Sequence, residues 1–195
     1  MSGSNNRSSA PDVAAVVISL IALLFSLWTF SDQRRSPTVE LLAPVVVRFA
    51  QQGETAWFFV QPSFANIGST SRTEVISRIN LRVIPNGSAT GKEFLWAGLV
   101  TFPAGQEGPT SDNIEWNWAG DPAPLAVTAT DPKSPVCYFV APGWAWTPGQ
   151  YNVEITATRS TTTDQLHTLT FKIDLPPDKV KQVISSGLAA AVRTS

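Results

Sequence analysis

Hydrophobic positions along the chain fall into two patterns. Near the start, Val13 to Phe30 reads VAAVVISLIALLFSLWTF, about 18 residues without a charge. At about 1.5 Å per residue such a helix is roughly 27 Å long, close to the hydrocarbon thickness of a bilayer. Its start is well marked: Ser9 is a capping residue, Pro11 suits the first turn and Asp12 favours the positive end of the helix. Trp28 and Phe30 occupy the interfacial belt, and Arg34 and Arg35 follow where they reach headgroups. A cleaved signal peptide needs a basic leader, a shorter apolar run and a small-residue cleavage site. Here Arg7 is the only basic side chain before the run, and Thr29-Phe30-Ser31 is the only small-x-small candidate. The pattern therefore predicts an uncleaved membrane span.

Ala15, Ser19, Ala22, Ser26 and Thr29 recur at spacings of four, three, four and three, one narrow stripe on this helix, while Val16, Val17, Leu20, Leu23, Leu24 and Leu27 cover most of the rest. Lipid supplies no hydrophobic drive for helix association, so close approach across small residues is the usual route. Besides the lipid bilayer, the stripe implies a partner helix, from another transmembrane protein or a second copy, although Ala and Ser are common in any span. Basic residues near the two ends lean slightly to a cytoplasmic body, whereas a Ser-, Thr-, Pro- and Trp-rich, Lys-poor body points to an extracytoplasmic one.

The second pattern starts after Pro37. The runs are Val39–Phe49, Ala56–Phe64, Val75–Ile84, Phe94–Phe102, Ile114–Trp118, Leu125–Thr130, Val136–Val140, Tyr151–Thr158 and Leu166–Asp174, punctuated by Gly- and Pro-bearing turns. Ile79, Leu81 and Val83 alternate with Arg78, Asn80 and Arg82; Tyr151, Val153, Ile155 and Ala157 alternate with Asn152, Glu154, Thr156 and Thr158. Such strands are half-buried and antiparallel, and their regular spacing predicts a β-sandwich or barrel. Past Pro176-Pro177, Asp178 is an expected N-cap, and Val180, Val183, Ile184, Leu188 and Ala191 share one face of an expected C-terminal helix weakened at Gly187.

The stretch Pro148-Gly149-Gln150-Tyr151-Asn152-Val153-Glu154-Ile155, with the strand His167 to Ile173 after a polar turn, resembles the last hairpin of immunoglobulin-like and fibronectin-III-like domains. That resemblance covers about 25 residues, implies a sandwich and assigns Tyr151 to a corner at which its hydroxyl bonds back to the backbone. It implies no activity. Cys137 is the single cysteine, so the inter-sheet disulfide of antibody domains is absent. The predicted class is mainly β. A polar tail (1–12) precedes a single transmembrane helix (13–30) and a linker (31–38), then an Ig-like antiparallel β-sandwich (39–175) and a short C-terminal helix and tail (176–195).

Composition narrows function mainly by exclusion. Across 195 residues, 14 basic and 15 acidic side chains leave a net charge of -1, which argues against nucleic acid as a partner. One His and one Cys do not build a multi-His metal site or a zinc knuckle. His167 reads as a structural residue near a strand end and Cys137 as a small core hydrophobe. The sequon Asn86-Gly87-Ser88 reads as a turn. Candidate chemistry lies in two tryptophan doublets, Trp116-Asn117-Trp118 and Trp144-Ala145-Trp146, each of which would present both rings on one side of a strand. Facing outward beside Asp112, Glu115 and Asp121, they make an aromatic platform for a sugar face, a headgroup or a protein hot spot; facing inward, they are core. The same carboxylates offer calcium ligands without a D-x-D-x-D-G loop, and Glu115 with Asp121 or Asp131 is no more than a generic acid pair for glycoside hydrolysis. No cofactor, metal or catalytic residue is assigned. The expected function is a membrane-anchored binding domain, an accessory or scaffolding subunit of a membrane complex, with an envelope-tethered carbohydrate-binding module as the alternative.

Overall fold

Helix α1 runs from Ala10 to Arg34 and belongs to a unit of its own, Met1–Ser36; all remaining elements belong to a second unit, Pro37–Ser195. The computed structural model of the chain describes residues 10–34, 38–68, 72–105, 111–160, 166 and 168–195. In α1 the apolar window Val13–Ser31 is long and apolar enough to cross a membrane, and none of its residues is buried by protein. Ser9, the expected cap, lies outside the described residues, as does His167.

The second unit is mainly β. Its strands are β1 (Val39–Leu42), β2 (Val46–Gln52), β3 (Thr55–Val60), β4 (Ser63–Asn66), β5 (Glu74–Pro85), β6 (Lys92–Thr101), β7 (Asn117–Gly120), β8 (Leu125–Val127), β9 (Cys137–Pro142), β10 (Gly149–Arg159) and β11 (Leu169–Leu175). Helix α2 (Pro177–Ser186) and β12 (Ala190–Arg193) complete it. The main sheet follows the order β11-β10-β5-β6-β9-β3-β2-β12, with β7 on β6 and β8 on β5, while β1 and β4 form a separate pair. All the pairings are antiparallel.

Strand β6 is shared between two layers. Its first residues pair with β5 (Leu81↔Phe94, Val83↔Lys92) and its later ones with β9 (Leu95↔Val140, Leu99↔Cys137), across an irregularity between Trp96 and Gly98. A bulge of this kind bends the strand and lets it leave one layer for the other. At the opposite seam Ile173 bridges Thr194, and Lys172 and Ser195 exchange backbone hydrogen bonds of 2.9 and 3.0 Å.

The core lies between the layers. Phe49, Phe58, Phe139 and Trp146 come from one side; Ile79, Leu81, Val83, Val153, Ile155 and Ile173 come from the other. The expected alternation holds: Ile79, Leu81, Val83, Tyr151, Val153, Ile155 and Ala157 are buried while Arg78 and Asn80 are exposed. Four expected elements differ. The run Val39–Phe49 divides into β1 and β2 at Pro44, and Ala56–Phe64 divides into β3 and β4 around Pro62, because proline has no N–H to give a ladder. Ile114–Trp118 is not a strand: Ile114 makes one bridge to Ala189, and pairing resumes at Asn117. The C-terminal helix stops at Ser186, where Gly187 adopts φ 70° and donates to the Val183 carbonyl, and the chain then enters strand β12, paired with β2. Ala191 is therefore a strand residue, Ile184 faces solvent, and Asp178 sits in the first turn instead of capping. Val180, Val183, Ala190 and Val192 are buried in the same core as the sandwich, so residues 176–195 are part of that domain.

Candidate functional site

Two places carry the residues singled out by sequence. The first is α1. At about 100° per residue, Ala15, Ser19, Ala22, Ser26 and Thr29 fall within an arc of about 80°. The Ser19 hydroxyl donates to the Ala15 carbonyl at 2.8 Å and the Thr29 hydroxyl to that of Phe25 at 2.8 Å. Both hydroxyls are thus satisfied by their own helix without water. The stripe is low in relief, and Ala15 and Ser19 line a shallow groove with Val16, Leu20 and Leu23.

The second place is the outward face of the layer β6-β9-β3-β2. Here the register sets Leu95, Val140, Trp57 and Ala50 side by side, and Gly98, Tyr138, Phe59 and Arg48 in the next row. An exposed sheet face this apolar needs a cover, and the segment carrying Phe102, Ile114 and Trp116 supplies part of it, packing with Ala50, Phe59, Val100, Tyr138, Ala189 and Ala191. Trp116 lies 5.2 Å from Trp57 and 5.2 Å from Tyr138, and the Arg48 guanidinium sits 4.2 Å over the Phe102 ring. Arg48 and Phe102 line a cleft of about 640 Å³ with Val46, Gln61, Ser63 and Ser134.

The tryptophan doublets part company. Trp116 precedes β7 and is half-buried, whereas Trp118, in β7, is 52% exposed; both rings meet Tyr138. Trp144 and Trp146 lie in the loop between β9 and β10, not in a strand. Trp146 is 1% exposed, and its indole N–H donates to the Ala50 carbonyl at 3.0 Å, so it belongs to the core rather than to a binding surface. Trp144, half-buried, packs on Trp146 with centroids 4.9 Å apart. The Asp112 carboxylate takes a 2.6 Å bond from Lys179 of α2 and Gln182 donates to Asn113, so this segment clamps the C-terminal helix. Glu115 and Asp121 are exposed.

Among the described residues no group of three His, Cys, Asp or Glu is placed to hold a metal. Cys137 is buried, and desolvation pushes its thiol up to about 12, where it is neither nucleophile nor ligand at neutral pH. Tyr138 is raised in the same direction by burial. Sequence reasoning missed the outward packing of Phe59, Phe102 and Tyr138. Its only local signal is the near-continuous run Trp57-Phe58-Phe59-Val60, the mark of a strand covered on both faces. No protein-family model matches the chain, and no curated protein matches it.

Proposed function

We propose that this is a single-pass membrane protein whose β-sandwich, of the immunoglobulin-like kind, acts by binding, as an accessory or scaffolding subunit of a membrane complex. The observation that carries the reading is the apolar window Val13–Ser31, which the protein leaves wholly uncovered. Such a surface is costly in water and at home in lipid. The five-residue stripe, its two bonded hydroxyls needing no other partner, suits close approach by a helix of another membrane protein or of a second copy. Arg34 and Arg35 favour the cytoplasmic side for the sandwich.

One feature supports the immunoglobulin-like kinship. Tyr151, at the start of β10, donates its hydroxyl to the Thr147 carbonyl at 2.7 Å and accepts the Thr147 N–H at 3.1 Å, the corner bond expected of that hairpin.

Purification of the full chain in mild detergent tests the reading. A second copy or a distinct membrane protein should co-purify, and Ala22→Leu, which adds bulk in the middle of the stripe, should release it while Leu24→Phe on another face should not. A lone monomer overturns the docking role, and recovery of the intact chain in the aqueous fraction overturns the anchor.

A tethered glycan-binding module is the second reading, and the exposed ring of Trp118 in β7 is what favours it. Its test is an oligosaccharide titration read by tryptophan fluorescence, with the response lost in Trp118→Ala; no response overturns it.

A further inference from the structure

Strand β5 is paired along nearly its whole length on one side and only at its two ends on the other. On the first side β10 runs beside it from Ile76 to Pro85. On the second, β8 meets residues 74–76 and β6 meets residues 81–83; among the described residues no strand pairs with 77–80 between them. The interruption arises because β6 leaves for β9 after Phe94, while residues 121–124 carry the chain across from β7 to β8. At about 3.3 Å per residue the gap spans about 13 Å of strand. It opens into a crevice of about 400 Å³ bounded by Arg78, Ile79, Asn80, Leu95, Trp96 and Pro122.

The crevice presents main-chain groups. Asn86 donates its N–H to the Gln150 carbonyl at 2.8 Å, and the β5–β10 register is unbroken from Pro85↔Tyr151 to Arg78↔Thr158. Alternation along an antiparallel ladder therefore turns the bonding groups of Arg82, Asn80 and Arg78 toward β10, and those of Val83, Leu81 and Ile79 away from it. Lys92 and Phe94 of β6 meet Val83 and Leu81 there. Ile79, next in the series, aims its N–H and carbonyl into the crevice. One residue of an antiparallel extended chain matches such a donor–acceptor pair.

Because β6 and β8 close the gap at its two ends, a chain that stops inside it fits, whereas a strand running through does not. In the antiparallel sense the stop falls at the Arg78 end. Arg78 is exposed and makes no ion pair among the described residues. Glu93, which also borders the crevice, lies at the other end opposite Arg82 and pairs with it at 3.8 Å. Leu95, 64% exposed, gives the rim an apolar contact for a side chain. We propose that this crevice binds the free C-terminus of a partner polypeptide. Its last residues extend the sheet on β5, the penultimate one exchanging two backbone hydrogen bonds with Ile79 and the terminal carboxylate meeting Arg78. The protein's own C-terminus is engaged elsewhere, Ser195 exchanging backbone bonds with Lys172, so the ligand is a different chain. The site lies within the sandwich and stands independently of helix docking.

Peptide selection on the full chain in mild detergent tests this. The probes are a pool of hexapeptides with free C-termini, randomised at the last three positions, and the same pool with amidated C-termini. Free acids should be retained about tenfold over amides, because only the carboxylate makes a charge-assisted bond. With the best-retained peptide, fluorescence anisotropy should show binding about tenfold weaker in Arg78→Gln, whose thermal unfolding should match the parent's. N-methylation of the penultimate residue, whose N–H donates to the Ile79 carbonyl, should abolish binding. Bound peptide should also slow hydrogen exchange at the Ile79 amide by about tenfold. No retained free acid, equal retention of acids and amides, or binding indifferent to Arg78→Gln overturns the proposal. Retention with unchanged exchange at Ile79 does the same, since it places the peptide elsewhere.

Discussion

The Trp118 ring packs against Gly98. A Cβ built on Gly98 would fall 2.8 Å from Trp118 Cζ3 and 2.8 Å from the Gly120 carbonyl oxygen. Gly98 also ends the irregular stretch of β6 that changes layers, so one residue serves the bend and the seat of the exposed indole. Gly98→Ala is expected to displace the ring and cost about 1–3 kcal/mol by overpacking. In a Trp118→Ala background the same change should cost less, because only the Gly120 contact remains. A double-mutant cycle on denaturant midpoints of the full chain in detergent measures the difference, and an additive result would show that the two residues do not compete for this space.

Trp146 and Trp118 should respond oppositely to truncation. Trp146 fills the centre of an aromatic cluster with Phe49, Phe58, Phe94 and Tyr151, and bonds to Ala50 through its indole. Trp146→Ala is expected to cost about 3–5 kcal/mol, and Trp118→Ala less than about 1 kcal/mol. Thermal unfolding checks this directly. A large loss at Trp118 would mean that its ring supports the fold instead of facing a partner.

Removing one oxygen from Tyr151 isolates the corner. Tyr151→Phe keeps the ring packing but leaves the Thr147 N–H and carbonyl without their partner, for an expected loss of about 1–3 kcal/mol. The loss should persist in Thr147→Ala, whose backbone groups are unchanged even though the 2.8 Å contact between the two hydroxyls is gone. Stability that depends on the Thr147 side chain instead would assign the role to the hydroxyl pair.

Period and breaker residues account for the parts of the fold that are legible in the sequence. Alternation in Arg78-Ile79-Asn80-Leu81 and in Tyr151–Thr158 matches burial residue by residue, because a period of two has one inward set. The apolar helix is equally plain, as charge-free length is a one-dimensional property. Beyond Gly187 the local pattern misleads: Leu188 and Ala191 keep helical spacing, but the open edge of β2 offers Ala190–Arg193 a ladder that local periodicity cannot foresee. The tryptophan doublets escape for a related reason. Whether Trp116 is covered depends on Trp57, Phe59 and Tyr138, about 20 to 60 residues away in the chain, and whether Trp146 is covered depends on Phe49 and Phe58, about 90 to 100 residues away; a second apolar layer outside the sheet adds to this.

The buried thiol of Cys137 predicts a pH dependence of definite sign. Its folded pKa stands near 12 against an ordinary value of 9.0, raised by desolvation. The protonated form is the one the fold favours, so this stabilisation is complete below pH 9 and is lost as pH climbs toward 12. Next to it in β9, Tyr138 is raised from 10.0 by the same cause, and its contribution fades in the same alkaline direction. Denaturant unfolding measured from neutral pH upward should therefore show falling stability above pH 9, with a shallower slope in Cys137→Ala and a further reduction when Tyr138→Phe is added. In the native protein at pH 8 a thiol reagent should react only as fast as the domain opens. Rapid labelling of the folded chain, or an alkaline slope indifferent to both substitutions, would mean that β9 is more open to solvent than its packing between β3 and β6 implies.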